Sequence, residues 1–263
     1  MSILVSKGGK VDSALGQWGA KKALLILEEL AEFKQIITKN IGEVKTNSKY
    51  PRVVNRMISS VKRTEDQTMT AKAAVAGAMA DEIADLIFED GDVSKVIVNN
   101  GGDIAIRLRG IEIANVGIIS DLSRKEITHK LLVDSGGNIG GVATSGFGGR
   151  SFTKGIASAA VVVASTASLA DAVATVLGNT VNVDDPVIER QLAEEIYPGT
   201  DIPGHLVTTR VGNISQNKIK EALEKGLIKA RELQDKGLIF GALLALKGEV
   251  RITETISPMI SET

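Results

Sequence analysis

Hydrophobic residues recur every three or four positions along several segments, and this spacing is typical of amphipathic helices. The longest segment begins at Asp12 or Ser13, either of which can cap a helix, and ends near Thr38. Its apolar face comprises Ile26, Leu30, Phe33 and Ile37, widened by Leu24 and Leu27. The same spacing predicts helices over residues 52–61, 70–88, 166–177 and 215–236, and Asp185-Pro186 is predicted to open a short helix.

Elsewhere the hydrophobic residues alternate with polar ones or form short apolar runs, which predicts strands. Residues 95–98, 103–108 and 111–119 are predicted to form a three-stranded antiparallel meander, because Asn-Gly and Gly-Gly between such runs favour hairpins. Further strands are predicted over residues 128–133, 139–143, 158–164, 205–211, 238–246 and 249–254. With helices interspersed and no repeat or linker, the pattern predicts an α+β fold in one domain, residues 1–263.

Composition narrows the classes of function. The 263 residues include 31 basic and 32 acidic side chains, and 3% are aromatic. Nucleic-acid binding is therefore not expected, because it usually needs a basic excess or aromatic stacking surfaces. The absence of cysteine excludes disulfides, thiolate nucleophiles and cysteine-based metal sites. With only His129 and His205, far apart in sequence, any metal is expected to be a hard cation on oxygen ligands.

One segment is apolar enough to raise the question of a membrane span. Between Gly155 and Val183 the only charged residue is Asp171. A carboxylate in the middle of a span is costly, and no aromatic residues flank the segment. We therefore expect a buried strand followed by a buried helix. The first residues of the chain also lack the apolar core of an export signal, so a cytoplasmic location is expected.

Eight of the twenty residues from Gly136 to Gly155 are glycine. Glycine permits backbone conformations that point successive N–H groups at one anion, so a phosphate-binding loop is one interpretation. The candidate contacts are Thr144, Ser145, Gly146 and Arg150. Tight turns between core strands, or a surface loop, are the alternative interpretation.

Two other segments carry candidate ligand groups. Gly101 and Gly102 are explained by a hairpin alone, but Asp103 directly after them could meet a ribose hydroxyl or a metal. Asp171 and Thr175 are four residues apart, which places them on one face of a helix, where both oxygens could reach one Mg²⁺. Alternatively, Asp171 lies near the helix start and Thr175 bonds back to a carbonyl.

Taken in order, four motifs resemble those of the ApbE superfamily. They are Ala76-Gly77-Ala78-Met79-Ala80-Asp81, Val98-Asn99-Asn100-Gly101-Gly102-Asp103-Ile104, Ala143-Thr144-Ser145-Gly146 and Ala170-Asp171-Ala172-Val173-Ala174-Thr175. The similarity spans roughly residues 55–245, and it is greatest to the cytoplasmic ApbE-like branch once labelled thiamine-biosynthesis related.

The resemblance implies an ApbE-like α+β fold related to the tunnelling fold. It also implies a function, because ApbE enzymes are Mg²⁺-dependent transferases that move FMN from FAD onto a threonine of a target protein. In that family the aspartate and threonine of the last motif bind the metal, which corresponds to Asp171 and Thr175. The glycine-rich segments would hold the rest of the dinucleotide. The lysine that precedes the glycine of the first motif in the enzymes is replaced here by Ala76.

The sequence thus supports two hypotheses. The first is a protein that binds a flavin or related nucleotide diphosphate with Mg²⁺ and transfers a nucleotidyl group to an acceptor protein. It requires that Asp171 and Thr175 face a shared open cavity, and it is to be dropped if neighbouring amides or a salt bridge occupy Asp171 and no concavity lies in front of it. The second is a non-catalytic descendant that acts as a ligand-binding or assembly partner. Homo-oligomers are also expected, through the alanine-rich helix or the last hairpin.

Overall fold

A computed structural model describes residues 1–121 and 126–263. Its contacts divide the chain into two compact units, each made of three segments. The first unit comprises Met1–Asn115, Leu132–Ala143 and Val163–Ala172, and the second comprises Val116–Leu131, Thr144–Val162 and Val173–Thr263. The expectation of a single domain over residues 1–263 stays a prediction.

The first unit is an antiparallel sheet covered by helices. Its helices are α1 (Ser13–Glu32), α2 (Lys34–Ile37), α3 (Arg52–Arg63) and α4 (Val75–Phe88), the last preceded by a 3₁₀ turn at Ala71–Ala74. Its strands are β1 (Ser2–Lys7), β2 (Lys10–Val11), β3 (Lys95–Asn100) and β4 (Asp103–Leu108), in the order β2-β1-β3-β4. Helix α4 packs on β3 and β4, and α1 and α3 pack on α4.

Three further strands contribute residues to both units. They are β5 (Ile113–Ile118), β6 (His129–Asp134) and β7 (Gly141–Ser145). Within the first unit, β7 lies antiparallel beside β4, with Ile104 opposite Val142. Strand β8 (Ala159–Ala164) and helix α5 (Ala167–Thr180) are likewise shared between the units, and every residue of β8 is buried.

The second unit holds the remaining elements. They are β9 (Ile188–Leu192), α6 (Ala193–Ile196), β10 (Leu206–Val211), α7 (Gln216–Asp235), β11 (Gly241–Leu246), β12 (Glu249–Ile252) and β13 (Ile260–Glu262). Strands β9 and β10 pair with each other, β11 pairs with β12, and β13 pairs with β6. Helix α7 is capped by Ser215 and packs its buried face on β11. Every strand pair whose register is described is antiparallel, so the α+β class is confirmed.

Several local predictions are confirmed, and three are wrong. Asp12 caps α1 by accepting the N–H of Leu15 at 3.0 Å. The apolar segment from Gly155 to Val183 contains β8 and α5, as predicted. No described helix is both long and apolar enough to cross a membrane. Leu24 and Leu27, however, do not widen the buried face of α1, because 64% and 55% of their surface is exposed.

The predicted meander is wrong in its third strand. Strand β4 already has β3 on one edge and β7 on the other, so no edge of it is available to β5, which joins the sheet of β6 and β13. The short helix at Asp185-Pro186 is also absent from the described chain. Asp185 instead accepts the N–H of Val187 in a turn, and β9 begins one residue later.

Candidate functional site

The start of α4 lies in close contact with the start of α5, and Gly77 makes this possible. A Cβ atom on Gly77 would lie 2.3 Å from the carbonyl oxygen of Ala167. The small residues that follow, including Ala78 and Ala80, are fully buried. The alanine-rich helix therefore uses its smooth face inside the first unit, and the expectation that this helix offers an oligomer surface is wrong.

Asp171 lies in this contact, within the first unit. Its Oδ2 accepts the N–H of Gly77 at 2.9 Å, and the backbone N–H of Ala76 also donates to the carboxylate. Asp171 is half-buried and forms no ion pair with any residue in the described ranges 1–121 and 126–263. The carboxylate is thus held by two amides of the first ApbE-like motif without being neutralised by a cationic side chain.

The surroundings of Asp171 favour its protonated form. Burial raises its pKa well above the usual aspartate value, and the nearby negative charge of Asp103 raises it further. The amides of Gly77 and Ala76 act in the opposite direction, and the charge of Asp81 adds to the increase. Since burial and a neighbouring negative charge are the two largest causes, a cation bound beside Asp171 would favour the ionised carboxylate.

The hairpin turn between β3 and β4 contacts the start of α4, beside Asp171. Gly101 and Gly102 have φ angles of 79° and 114°, which fits the turn type that favours glycine at both central positions. Asn99 accepts the N–H of Gly102 at 3.0 Å. The side-chain amide of Asn100 donates to the carbonyl of Ala76 at 3.2 Å. Asp103 directly follows this turn. The second motif therefore contacts the first through Asn100 and Ala76, and the fourth contacts it through Asp171 and Gly77.

The condition set for the nucleotide hypothesis is met only in part, because Asp171 does accept neighbouring amides. An ionised carboxylate has about four lone-pair sites, so two N–H donors leave room for a further partner. Thr175 lies one helical turn beyond Asp171 in α5 and is half-buried. Its hydroxyl makes no hydrogen bond with any residue that the structure describes, so the alternative in which it bonds back to a carbonyl does not hold.

The predicted phosphate contacts belong to the second unit. Thr144 and Ser145 end β7, and Gly146 follows with a φ of 148°. A Cβ atom on Gly146 would lie 2.8 Å from the carbonyl oxygen of Ala157, and one on Gly155 would lie 2.0 Å from that of Gly178. These two glycines are therefore required by close backbone packing. Arg150 is exposed and makes no ion pair within the described chain.

Sequence reasoning missed the polar network that fixes the start of α5. Asp81 is fully buried, and its two oxygens accept the N–H groups of Ala167 at 3.0 Å and Ser168 at 2.8 Å. Thr166 accepts the N–H of Leu169 at 3.3 Å. The first three amides of the helix, which have no partner within it, are thereby satisfied. Asp81 therefore holds the helix that carries Asp171.

Arg107 on β4 completes this network. Its guanidinium donates to Asp81 at 3.0 Å, to Asp85 at 2.7 Å and to the carbonyl of Gly140 at 2.9 Å. Burial alone would lower the pKa of Arg107, but the charges of the two aspartates outweigh it and raise the pKa. The charged residues of α4 are Asp81, Glu82 and Asp85. The four-residue spacing of Asp81 and Asp85 was the available signal for a shared buried cation.

Two surface cavities border α1, and none of the predicted site residues lines either of them. The described residues also contain no cluster of three or more His, Asp or Glu side chains able to hold a metal by themselves. Mg²⁺, however, is commonly bound by one or two carboxylates together with substrate phosphates and water. The donors at Asp171 and Asp103 fit a Mg²⁺ ion that arrives with a nucleotide, and they do not fit a metal held by protein ligands alone.

Comparison with known proteins decides the family. The model of the family described as "AbpE bacteria" matches residues 5–252, nearly the whole chain. The chain belongs to this family. The resemblance to the ApbE superfamily is thereby confirmed.

Curated relatives of this family member include archaeal proteins named UPF0280. The protein from Methanopyrus kandleri is 36% identical over 139 residues, which is 53% of this chain and 54% of that protein. The one from Methanosarcina barkeri is 36% identical over 143 residues, 53% of each chain. The match therefore spans about half the length of these relatives.

Two solved structures are similar at a low level. The flavin transferase ApbE from Vibrio cholerae gives a TM-score of 0.40 at 12% identity, covering 97% of this chain and 80% of that one. The apo flavinyl transferase ApbE from Pseudomonas stutzeri gives 0.40 at 15% identity, covering 73% and 50%. At these values no residue role is carried from either enzyme to this chain.

Proposed function

We propose that this protein binds a flavin dinucleotide such as FAD together with Mg²⁺, with Asp171 and Thr175 as metal ligands. One observation carries the proposal: Asp171 is an unneutralised, half-buried carboxylate with a raised pKa, held next to Asp103 by the backbone of the first motif. Two carboxylates that repel each other are stabilised by a shared cation. The free hydroxyl of Thr175, on the same helix face, adds a neutral oxygen ligand.

Each residue has a specific role in this proposal. Gly77 and Ala76 orient the Asp171 carboxylate through their N–H groups, and Asp81 fixes the helix that carries it. Gly101 and Gly102 form the turn before Asp103. The space beside Gly102 is open, since a Cβ atom there would meet nothing within 4 Å. Thr144, Ser145, Gly146 and Arg150 are the proposed phosphate contacts. When bound, Mg²⁺ would neutralise charge on the pyrophosphate and on these carboxylates.

The finer proposal is transfer of FMN from FAD to a hydroxyl group of an acceptor protein. The acceptor oxygen would form a bond to the FMN phosphorus, the pyrophosphate P–O bond would break, AMP would leave, and the hydroxyl proton would be released. This reaction rests on membership of the ApbE superfamily, whereas the binding proposal rests on the surroundings of Asp171.

Thermal unfolding with FAD and Mg²⁺ tests the binding proposal. A ligand at about 100 times its dissociation constant stabilises the folded state by about 2.7 kcal/mol, or several degrees for a chain of this size. Asp171→Ala should abolish the shift that Mg²⁺ adds. Asp92→Ala, which removes an exposed aspartate, is the matched control and should keep it. Equal shifts in both variants would reject Asp171 as a ligand.

A non-catalytic role is the second candidate, and a specific observation favours it. The position occupied by lysine in the transferases is Ala76, and its amide donates to Asp171. Under this proposal FAD and Mg²⁺ stabilise the protein, but no AMP appears when FAD and candidate acceptors are added. AMP release that depends on Asp171 would instead support the transferase.

A further inference from the structure

Helix α1 has a second apolar face that the described structure leaves uncovered. Its buried face is formed by Gly19, Ile26 and Leu30. Beside it, Ala20, Leu24, Leu27 and Ala31 are exposed and follow one another at spacings of four, three and four residues. This spacing is the one that lets a helix pair with another helix. We call these four residues the α1 stripe.

The α1 stripe continues into a groove between α1 and β1. The groove has a volume of ≈ 440 Å³ and is lined in part by Met1, Ile3, Val11, Gly16, Ala20 and Leu24. At the sheet edge beside it, β2 is only two residues long and carries Lys10, both of which discourage the addition of another strand. The surface therefore favours a helical partner over a pairing strand.

We propose that the partner is a second copy of this chain, with the two α1 helices antiparallel about a two-fold axis. The α1 stripe is symmetric about a point between Leu25 and Ile26. When one copy is reversed on that point, Ala20 lies opposite Ala31 and Leu24 lies opposite Leu27. A two-fold interface uses the same surface on both copies, so it needs a self-complementary surface of this kind.

The charges of α1 specify the same orientation. Lys21 and Lys22 are the only charged residues in its first half, and Glu28, Glu29 and Glu32 occupy its second half. Lys21 and Glu28 flank the α1 stripe on one side, and neither forms an ion pair within the described chain. In the antiparallel arrangement, Glu28 of one copy lies about 3 Å along the helix axis from Lys21 of the other, on the same edge, so the two long side chains can pair, twice by symmetry. In a parallel arrangement the edges that carry Lys21 and Glu28 would lie on opposite sides of the pair, so neither residue would gain an ion pair.

The size of the surface sets the strength of the dimer. A helix of twenty residues is about 30 Å long and about 10 Å wide, which offers roughly 300 Å² per copy. The groove enlarges this area, but it stays below the roughly 800 Å² per partner of a standard interface. We therefore expect a transient dimer with a dissociation constant between about 10 µM and about 1 mM.

Sedimentation velocity of the full chain from about 10 µM to about 1 mM tests the proposal. The wild type should shift from monomer to dimer, and Lys21→Glu or Glu28→Lys alone should raise the dissociation constant at least about tenfold. The double variant Lys21→Glu/Glu28→Lys should restore association. Leu25→Gln, an exposed residue on the other side of α1, is the control and should dimerise as the wild type does. A monomer throughout, or failure of the double variant to recover, would overturn the proposal.

The register can be tested separately because the chain has no cysteine. Under mild oxidation, a mixture of Leu24→Cys and Leu27→Cys chains should form mainly the mixed disulfide dimer. A parallel pair would instead give each variant cross-linked to itself, and that result would reject the antiparallel arrangement. Chains that stay monomeric but co-sediment with phospholipid vesicles in a Leu24-dependent manner would assign the α1 stripe to a membrane surface.

Discussion

Arg107 donates from Nη2 to Oδ1 of Asp81 at 3.0 Å, and the Asp81 side chain has no exposed surface. The same carboxylate accepts the N–H groups of Ala167 and Ser168. The Asp81 side chain thus forms an ion pair with Arg107 on β4 and also caps the N-terminus of the helix that carries Asp171. The strand, α4 and α5 are held in one arrangement by a single carboxylate.

Asp81→Asn should therefore be strongly destabilising. Asn has one acceptor oxygen where Asp81 has two, so the N–H of Ala167 or of Ser168 loses its partner in a buried place, at a cost of about 1–3 kcal/mol. Arg107 also loses one of its two carboxylate partners, although it keeps Asp85. Urea unfolding should show a clearly lower midpoint. Asp90→Asn, which removes the partner of Lys7 in an exposed ion pair, should change the midpoint little. Similar midpoints for the two variants would contradict the role assigned to Asp81.

Gly77→Ala should destabilise the protein through the contact with α5. Its Cβ atom would lie 2.3 Å from the Ala167 carbonyl oxygen, and backbone cannot move aside as the tip of a side chain can. We expect a loss of about 1–3 kcal/mol, measured by thermal or urea unfolding. Gly91→Ala is the matched control, because a Cβ atom there meets nothing within 4 Å. Two equally stable variants would show that α4 and α5 are less closely packed than described.

The raised pKa of Asp171 predicts a pH dependence of stability. Between the unfolded value of about 3.9 and the higher folded value, the folded state keeps a proton that the unfolded state has released. Stability therefore falls as the pH rises through this window. Without Mg²⁺, Asp171→Asn should remove this decrease and be more stable than the wild type near pH 7.

The control for this measurement is the low-pH limit. Near pH 3 the wild-type carboxyl is protonated in both states, so the two proteins should unfold at nearly the same midpoint. A variant that is less stable than the wild type at pH 7 would mean that Asp171 is already neutralised by its surroundings. In that case a cation would no longer be required at this position.

Arg150→Ala should separate ligand binding from stability. Arg150 is exposed and makes no ion pair in the described chain, so its loss should change stability by less than about 0.5 kcal/mol. The FAD-dependent thermal shift should nevertheless decrease. Gly146→Ala should instead destabilise the protein without any ligand, because of its positive φ and its contact with Ala157. An unchanged FAD shift in Arg150→Ala would remove Arg150 from the site.

Local signals made much of the fold predictable. The cap at Asp12 and the hairpin at Gly101-Gly102 depend on residues a few positions apart, and both are confirmed. The pairing of β5 was not predictable in this way. It depends on β7 occupying the edge of β4, and β7 lies more than thirty residues further along the chain.

The residues of the candidate site were likewise predictable where the signal was local and not where it depended on distant parts of the chain. Asp171 stands out in the sequence as a lone charge in an apolar segment, and it does lie against the first motif. The contact of Asp81 with α5 gave no such signal, because Ala167 and Ser168 donate through their backbone N–H groups, which any residue except proline provides. The glycines at 146 and 155 look like an anion loop in sequence, yet packing against backbone requires them. Only coordinates distinguish these two uses of glycine.

The link between Asp81 and the start of α5 also constrains how the polypeptide reaches its native state on the ribosome. At about 5–20 residues per second, the roughly 60 residues from Arg107 to Ser168 take about 3–12 s to synthesise. During that interval Asp81 has been synthesised, but Ala167 and Ser168, whose N–H groups it accepts, have not. Chains halted before position 168 should accordingly be digested readily by protease, whereas chains released beyond α5 should resist.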